Sequence, residues 1–535
     1  MPKLIAYLLQ EPDFPRGRVV FMVVVSGLAG GALLAAINLS AAQIAAGGLD
    51  PRQFFIALTL LALTIYGQHQ ALGQTTLAAE EVLLKLRLRI GDRLRRADLR
   101  LVEAELAQDG CPALTNDTQL VSQSALSLAL LARSSLVVAA SLVYLGWISL
   151  AALLVTLAFI GTYAFIYRAF IHLNLELKLR EGQALEKGFS KRVQELLTSF
   201  KEIKLSQSKS CRLFDDYGRC AIAISANKRA ANAEIANSLT IGYSSFYLLL
   251  VVLVMVIPTL DKGLAGHVFK ITATVIYILS ELDPWLTWIP EIVRADAALE
   301  NLCHLEEKLQ AAPYGDSGRY QGKPLHSFAS LGLKAAVFRY PGQHGQTPFV
   351  LGPIELSIMP GEMLFVTGRN GSGKTTLLKL LAGLYRQEAG TLRLNGEPLE
   401  ADSYPAYREL FAALFADCHL FEDLHGLADA DSKQLGHWLE TMGLSGQTGG
   451  MPTPQALSNG QKKRLALVAA LLEDKPVYIF DQFAADQDAE FREKFYRKIL
   501  PSLQRQGKTV IAATHDDRYF DIADRVLLLA GGRLA

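Results

Sequence analysis

Among 535 residues there are only five cysteines, and no two form a C-x-x-C pair or any other metal-ligand spacing. Cys111, Cys211, Cys220, Cys303 and Cys418 are odd in number and scattered. This argues against a disulfide framework and for free thiols in a reducing compartment. Net charge is nearly absent as well, with 53 Lys and Arg against 52 Asp and Glu, so the whole-chain balance says nothing about partners. No cleavable signal peptide is expected, because the first apolar stretch is too long for one and lacks a small-residue cleavage site before a polar start. The most informative absence is local. Val19–Leu49, Phe54–Ala79, Ser134–Tyr167 and Ile235–Leu260 contain no Asp, Glu, Lys or Arg. With half its residues apolar, the chain is too long for one domain and too apolar for a purely soluble protein.

Each uncharged run can cross a hydrocarbon core of about 30 Å, which needs about 20 residues. The third run splits at Gly146 and Trp147. Spans are therefore expected at 19–46, 54–79, 119–145, 148–170 and 236–260, with a sixth at 264–292 interrupted by Lys270, Glu281, Asp283 and Pro284. Buried core helices do not account for four such runs in series. Residues 1–300 read as a membrane α-helical domain with six spans, 301–330 as a linker and 331–535 as an α/β domain. The segment Glu80–Thr118 holds seven Lys/Arg and Arg168–Ala236 holds thirteen, while the other connections hold only Arg52 and Lys262. The positive-inside rule puts both long connections, and the N-terminus, in the cytoplasm. Leu84, Leu88, Leu94 and Leu101 keep helical spacing, so these connections extend the spans as long helices. Topology accounts for the basic residues, and no nucleic-acid partner is expected.

Polar residues within spans are the natural lining of a transport pathway. Gln68, His69 and Gln70 in the second span lie at about the depth of Glu281 and Asp283 in the sixth, where Trp285 and Trp288 follow and Pro284 should bend the helix. Two readings stay open for Gln68, His69, Glu281 and Asp283. They line a substrate cavity, or they pair locally, as with Arg133, and snorkel at the inner interface. A His with two carboxylates is also a metal-ligand set, though nothing fixes its geometry.

From residue 331 strands alternate with helices. Gly368–Thr376 reads GRNGSGKTT and fits the phosphate-binding pattern G-x-x-x-x-G-K-[ST]. In such a loop the backbone of Gly368, Arg369, Asn370, Gly371, Ser372 and Gly373 closes around phosphates, and Lys374 reaches the terminal ones. The Thr375 hydroxyl, at the last position of the pattern, can hold Mg²⁺, and Thr376 follows it. Met363–Thr367 before it reads as a buried strand, and Leu377–Ala382 after it as a helix whose N-terminus faces the phosphates. Pro476–Asp481 is a buried strand ending in a carboxylate, the Walker B pattern, whose Asp481 organises Mg²⁺. Leu457-Ser-Asn-Gly-Gln461 matches the LSGGQ motif, and His515 ends the buried strand Thr509–Thr514.

In this order and spacing the domain resembles an ABC ATPase, and with the six spans the whole chain resembles a half-transporter of the ABC exporter type. The resemblance implies bound ATP and Mg²⁺, and a homodimer in a lipid bilayer. It also implies that Tyr340 stacks on adenine, unless Tyr340 is a core aromatic of its strand. Ser458, Gly460 and Gln461 would belong to the motif that meets the γ-phosphate held by the other copy. Asp488 matches the loop crossing that interface, and His515 would contact the γ-phosphate and help position the attacking water.

Two positions depart from the family. Its Q-loop glutamine falls at Ala416, beside Asp417, which could take over contact with the metal-bound water. Its catalytic glutamate falls at Gln482, and a neutral amide cannot act as a general base. Lone in an otherwise intact cassette, Gln482 looks like an introduced Glu-to-Gln replacement. The wording Ala484-Ala-Asp-Gln-Asp488, His515-Asp-Asp-Arg-Tyr-Phe520 and Lys201-Glu-Ile-Lys-Leu205 is similar to that of bacterial exporters of cyclic peptides and peptide siderophore precursors, of the pyoverdine and syringomycin type. In that group Ala416 is in keeping and Gln482 is not. The expectation is ATP-driven export of a peptide-like substrate across the bacterial inner membrane. A multidrug or lipid exporter, a siderophore importer on the same fold, and a non-hydrolysing ATP-binding sensor are the alternatives.

Overall fold

The computed structural model describes residues 3–11, 15–45, 48, 51–103, 113–256, 259, 267–311, 328–340, 348–420, 432–444 and 457–535. The chain divides into two compact units, Met1–Gly91 with Asp109–Glu307, and Asp92–Gln108 with Lys308–Ala535.

The first unit is helical. Its main elements are α1 (Lys3–Gln10), α2 (Arg16–Ala45), α3 (Pro51–Arg96), α4 (Thr118–Ile148), α5 (Leu150–Ile166), α6 (Leu173–Thr198), α7 (Gln207–Val251) and α8 (Val268–Ala311). Among the described residues five helices are long and apolar enough to cross a membrane, namely Arg16–Ile44, Pro51–Arg96, Leu114–Ile148, Leu150–Ala169 and Gln207–Val256. Of the sixth expected span, 268–292 lies within α8, where charged side chains interrupt the apolar run, and 264–266 lie outside the described residues. That helix continues through Pro284 and Pro290 to Ala311, so the stretch expected to begin the linker is helical. The turn between the third and fourth spans falls at Ser149 rather than at Gly146 and Trp147. Ser149 takes an extended backbone, and its hydroxyl accepts from the Ala152 N–H to cap α5.

Small residues let α2 and α4 approach closely. A Cβ on Gly27 would lie 2.5 Å from Leu136 Cβ, and one on Gly31 would lie 2.4 Å from Ala140 Cβ. Such spacing is the usual way helices pack in lipid, where hydrocarbon offers no hydrophobic drive to associate. Polar pairs add register. Asn38 donates to Thr274 at 3.1 Å between α2 and α8, and Ser127 donates to Glu291 at 3.0 Å between α4 and α8. The basic connection folds back on itself as α6 against α7, paired by Lys178 with Glu234 at 2.8 Å and Lys228 with Glu186 at 2.7 Å.

The second unit contains two sheets. An antiparallel one has the order β2 (Val350–Ile358), β1 (Leu331–Arg339), β4 (Ala389–Leu394), β5 (Glu397–Pro398). The other has the order β10 (Arg533–Leu534), β9 (Arg525–Ala530), β3 (Met363–Thr367), β8 (Thr509–Ala513), β7 (Val477–Asp481), β6 (Phe411–Leu414), parallel from β9 to β6. A parallel sheet is covered on both faces, and β3, β7 and β8 are correspondingly apolar and buried throughout or nearly so. Alternation sorts their side chains. Leu364 and Val366 join the core under helix α9 (Lys374–Leu381), while Met363 and Phe365 join the core under helix α10 (Asn459–Leu472).

Candidate functional site

Strand order assembles the site. β8 lies between β3 and β7, with Val366 and Asp481 both in register with Ala513. The carboxyl ends of three adjacent strands therefore present the phosphate loop, His515 and Asp481-Gln482 along one edge, the usual ligand edge of an open α/β sheet. Gly373 precedes α9 at φ +103°, a conformation that side-chain-bearing residues rarely adopt, and an added Cβ would also meet Phe349 at 2.8 Å. Arg369, Asn370 and Gly371 are exposed at the loop tip, while Ser372, Lys374 and Thr376 are buried. The Lys374 ammonium donates to the Gly368 carbonyl at 2.8 Å and to the Arg369 carbonyl at 3.1 Å, folded into the loop that would carry phosphate. Burial lowers its proton affinity, and the Asp481 charge opposes the shift.

The Thr375 hydroxyl donates to Asp481 Oδ2 at 2.7 Å, while Asp481 Oδ1 is buried with no partner. Burial raises the Asp481 carboxyl above the usual range. The Thr375 hydrogen bond, Lys374 and Lys379 pull it back down, and Asp417 pushes it up. A hydroxyl and an orphaned carboxylate oxygen form a hard, all-oxygen donor pair, which fits Mg²⁺ completed by phosphate and water. Among the described residues no group of three or more His, Cys, Asp or Glu is placed to hold a metal ion, and this pair does not depend on one.

Gln482 is next in the chain. It leaves β7 in the left-handed region at φ 50° and ψ 33°, with its N–H bonded to the Ala513 carbonyl at 3.0 Å. Such a backbone is uncommon for a residue with a side chain and is held here by the sheet. His515 is exposed at the end of β8. Tyr340, half-buried after β1, places its hydroxyl 3.3 Å from Thr376 Oγ1 and 3.4 Å from Tyr385 Oη. Its ring also packs against the core that contains Phe338, so both the adenine-stacking and the core-aromatic readings have a geometric basis.

The LSNGQ segment begins α10. Ser458 and Gln461 form a reciprocal cap, with the Gln461 N–H donating to Ser458 Oγ at 3.3 Å and the Ser458 N–H donating to Gln461 Oε1 at 3.0 Å. Gln487 donates to the Gly460 carbonyl at 3.1 Å and accepts from Arg464 at 2.8 Å, and Arg464 pairs with Asp488. The segment and the loop that carries Asp488 are thus tied together within one cassette. Asp417 is exposed beside Ala416.

In the first unit, Glu281 accepts from Ser134 at 2.8 Å and pairs with Arg133 at 3.4 Å. This is the local-pairing alternative for that residue. His69 is exposed and Gln68 half-buried on α3, and the side chain of Asp283 lies outside the described residues. A cavity of about 570 Å³ lies elsewhere, between α4, α5, α7 and α8. Val138, Phe159, Phe246 and Ile278 are typical of its hydrocarbon lining, and Tyr163 and Trp285 also face it. The Trp285 indole N–H is buried without a partner. The aromatic residue after Pro284 was the available signal for it in the sequence.

Residues 351–485 match the ABC transporter family. The chain is 29% identical to the ATP-binding protein SyrD of Pseudomonas syringae pv. syringae, over 96% of this chain and 93% of that one. The chain therefore carries an ABC transporter domain at residues 351–485 and has the fold of an ABC exporter. It is also 24% identical to an ATP-dependent lipid A-core flippase of Paraburkholderia xenovorans, over 91% of this chain and 83% of that one. A bacterial Atm1-family ABC exporter solved with ATP bound matches 98% of this chain and 95% of its own with a TM-score of 0.76, at 18% identity, which speaks for the fold alone. The five apolar helices and the exporter-like relatives speak for a membrane-embedded chain, and the ABC transporter domain implies ATP binding.

Proposed function

We propose that this chain is half of a homodimeric exporter that uses ATP to move a peptide-like substrate across the bacterial inner membrane, with N-terminus and cassette in the cytoplasm. The observation that carries the reading is the Thr375–Asp481 pair beside a complete phosphate loop, in a chain whose helical unit has the exporter architecture. Two nucleotides sit between two cassettes, each held by Lys374, Thr375 and Asp481 of one copy and by the Ser458-Asn-Gly-Gln461 segment of the other. Mg²⁺, held by Thr375 and Asp481, would neutralise phosphate charge. Gln482 occupies the place of the base and carries no carboxylate, so hydrolysis slows while binding persists.

The peptide-like substrate is supported by the subfamily wording at Ala484–Asp488, His515–Phe520 and Lys201–Leu205, and by the whole-length similarity to SyrD. The hydrocarbon lining of the cavity, with one indole donor, suits an amphipathic molecule and equally favours a second reading, lipid export, which similarity to the flippases also supports. Inside-out vesicles bearing the Gln482→Glu variant separate the two. ATP-dependent uptake from a cyclic-peptide mixture, read by mass spectrometry, supports the first reading. Transfer of a fluorescent phospholipid with no peptide uptake contradicts it.

A further inference from the structure

The second unit includes a piece of chain from far upstream, Asp92–Gln108, which continues from the long helix α3. Asp98 caps a short turn, Leu99–Leu101, by accepting from the Arg100 N–H at 2.9 Å. Leu99 packs against the core that contains Phe338 and Tyr385, and the Arg100 guanidinium lies 5.0 Å from the Phe338 ring centre. Glu103 follows, and its two carboxylate oxygens have different partners. One accepts from the Lys379 ammonium at 2.7 Å and the other from the Tyr385 hydroxyl at 2.6 Å.

Each partner leads to a different end of the nucleotide site. The Tyr385 ring is fully buried and stacks on Phe338 at 4.7 Å, and its hydroxyl meets that of Tyr340, which in turn meets Thr376 of the phosphate loop. Lys379 sits on α9 one turn beyond Thr375. Its ammonium lies 5.2 Å from the Tyr385 ring centre and 6.0 Å from that of Phe415, and its charge acts on the Asp481 carboxyl. Phe415 immediately precedes Ala416, the position without the family's glutamine. Lys379 is largely buried, while Glu103 reaches it from a more exposed position.

We propose that Glu103 is a positioning residue for nucleotide hydrolysis, joining the segment that continues α3 to Phe415, beside Ala416, through Lys379 and to Tyr340 and Thr376 through Tyr385, and serving where Ala416 leaves no glutamine side chain to do so. Displacing that segment would move Lys379 and Tyr385 together, because one carboxylate holds both. The inference rests on the proposed ATPase reading of this site.

The test measures turnover of the full chain in lipid nanodiscs, with Gln482→Glu as parent. The variants are Glu103→Ala, the milder Glu103→Gln, and Glu103→Ala combined with Ala416→Gln. Coupling between sites usually amounts to a factor of about 5 to 150, so Glu103→Ala is expected to lower kcat at least about fivefold. Restoring a side chain at 416 should recover at least about half of that loss, a response that a merely structural contact would not give. Turnover within about twofold of the parent for both Glu103 variants, or a loss that Ala416→Gln leaves untouched, overturns the inference. If Gln482→Glu is no faster than the chain as given, the Gln482 reading fails on its own. Each Glu103 variant is still compared with its own parent, so the two failures remain distinct.

Discussion

Thr375 and Asp481, 106 residues apart in the chain, share a hydrogen bond of 2.7 Å, and the second oxygen of Asp481 is buried without a partner. A buried carboxylate oxygen left unpaired costs free energy, and such an atom at the mouth of a phosphate loop marks where a cation belongs.

Thr375→Val keeps the shape and removes the hydroxyl. Altering groups that hold or orient a metal commonly costs about 10- to 100-fold in metal affinity. ATP binding measured by calorimetry should therefore weaken about tenfold or more with Mg²⁺ present and change little with EDTA. An equal effect in both conditions would show that Thr375 acts on the loop and not on the metal.

Glu281 tests the buried pair. Its side chain and that of Arg133 are 12% and 15% exposed, so Glu281→Ala leaves a guanidinium buried without this carboxylate partner. Breaking one side of a buried pair costs roughly 3 to 5 kcal/mol. The melting temperature in nanodiscs should drop clearly for Glu281→Ala and recover for the double change Arg133→Leu with Glu281→Leu. A melting temperature unchanged by Glu281→Ala would mean that the pair contributes little and would return Glu281 to the cavity reading.

Orientation can be read from thiols. Cys211 is exposed and Cys220 half-buried on α7, and Cys111 lies outside the described residues. All three lie in the basic connections expected in the cytoplasm. They should resist a membrane-impermeant maleimide added to intact cells and react after lysis. Labelling of any of them in intact cells contradicts the proposed topology.

Much of the site was legible because its signals are local. The phosphate loop needs consecutive residues, β3 and β7 announce themselves as short apolar runs, and the change from Met363–Thr367 to α9 places a helix N-terminus at the loop. Five apolar helices were legible because lipid forbids charge over some 20 residues, and the charged stretch expected as a sixth span is not among them. What escaped were relations set by tertiary packing. Glu103 is an ordinary charged residue in a basic connection, and only the fold brings it to Lys379 and Tyr385. The left-handed backbone of Gln482 has no mark in its residue type, since glycine or asparagine would be the usual sign. Nor could the sequence decide between Arg133 and a cavity for Glu281, because the facing of α4 and α8 depends on side chains along both helices. The continuation of α8 past Pro284 and Pro290 runs against the local preference of proline, in keeping with the tolerance of transmembrane helices for it.

On the proposed reading, Gln482 withholds the base from a site that keeps its phosphate loop and the Thr375–Asp481 pair. Steady-state ATP hydrolysis of the full chain in nanodiscs, side by side with Gln482→Glu, decides it. A positioned general base contributes about 10² to 10⁴ in rate, so Gln482→Glu should turn over at least about tenfold faster and shed the nucleotide that the chain as given retains. Equal rates for the two would rule out Gln482 as the missing base and move the chemistry to another group, with His515 or Asp417 first in line.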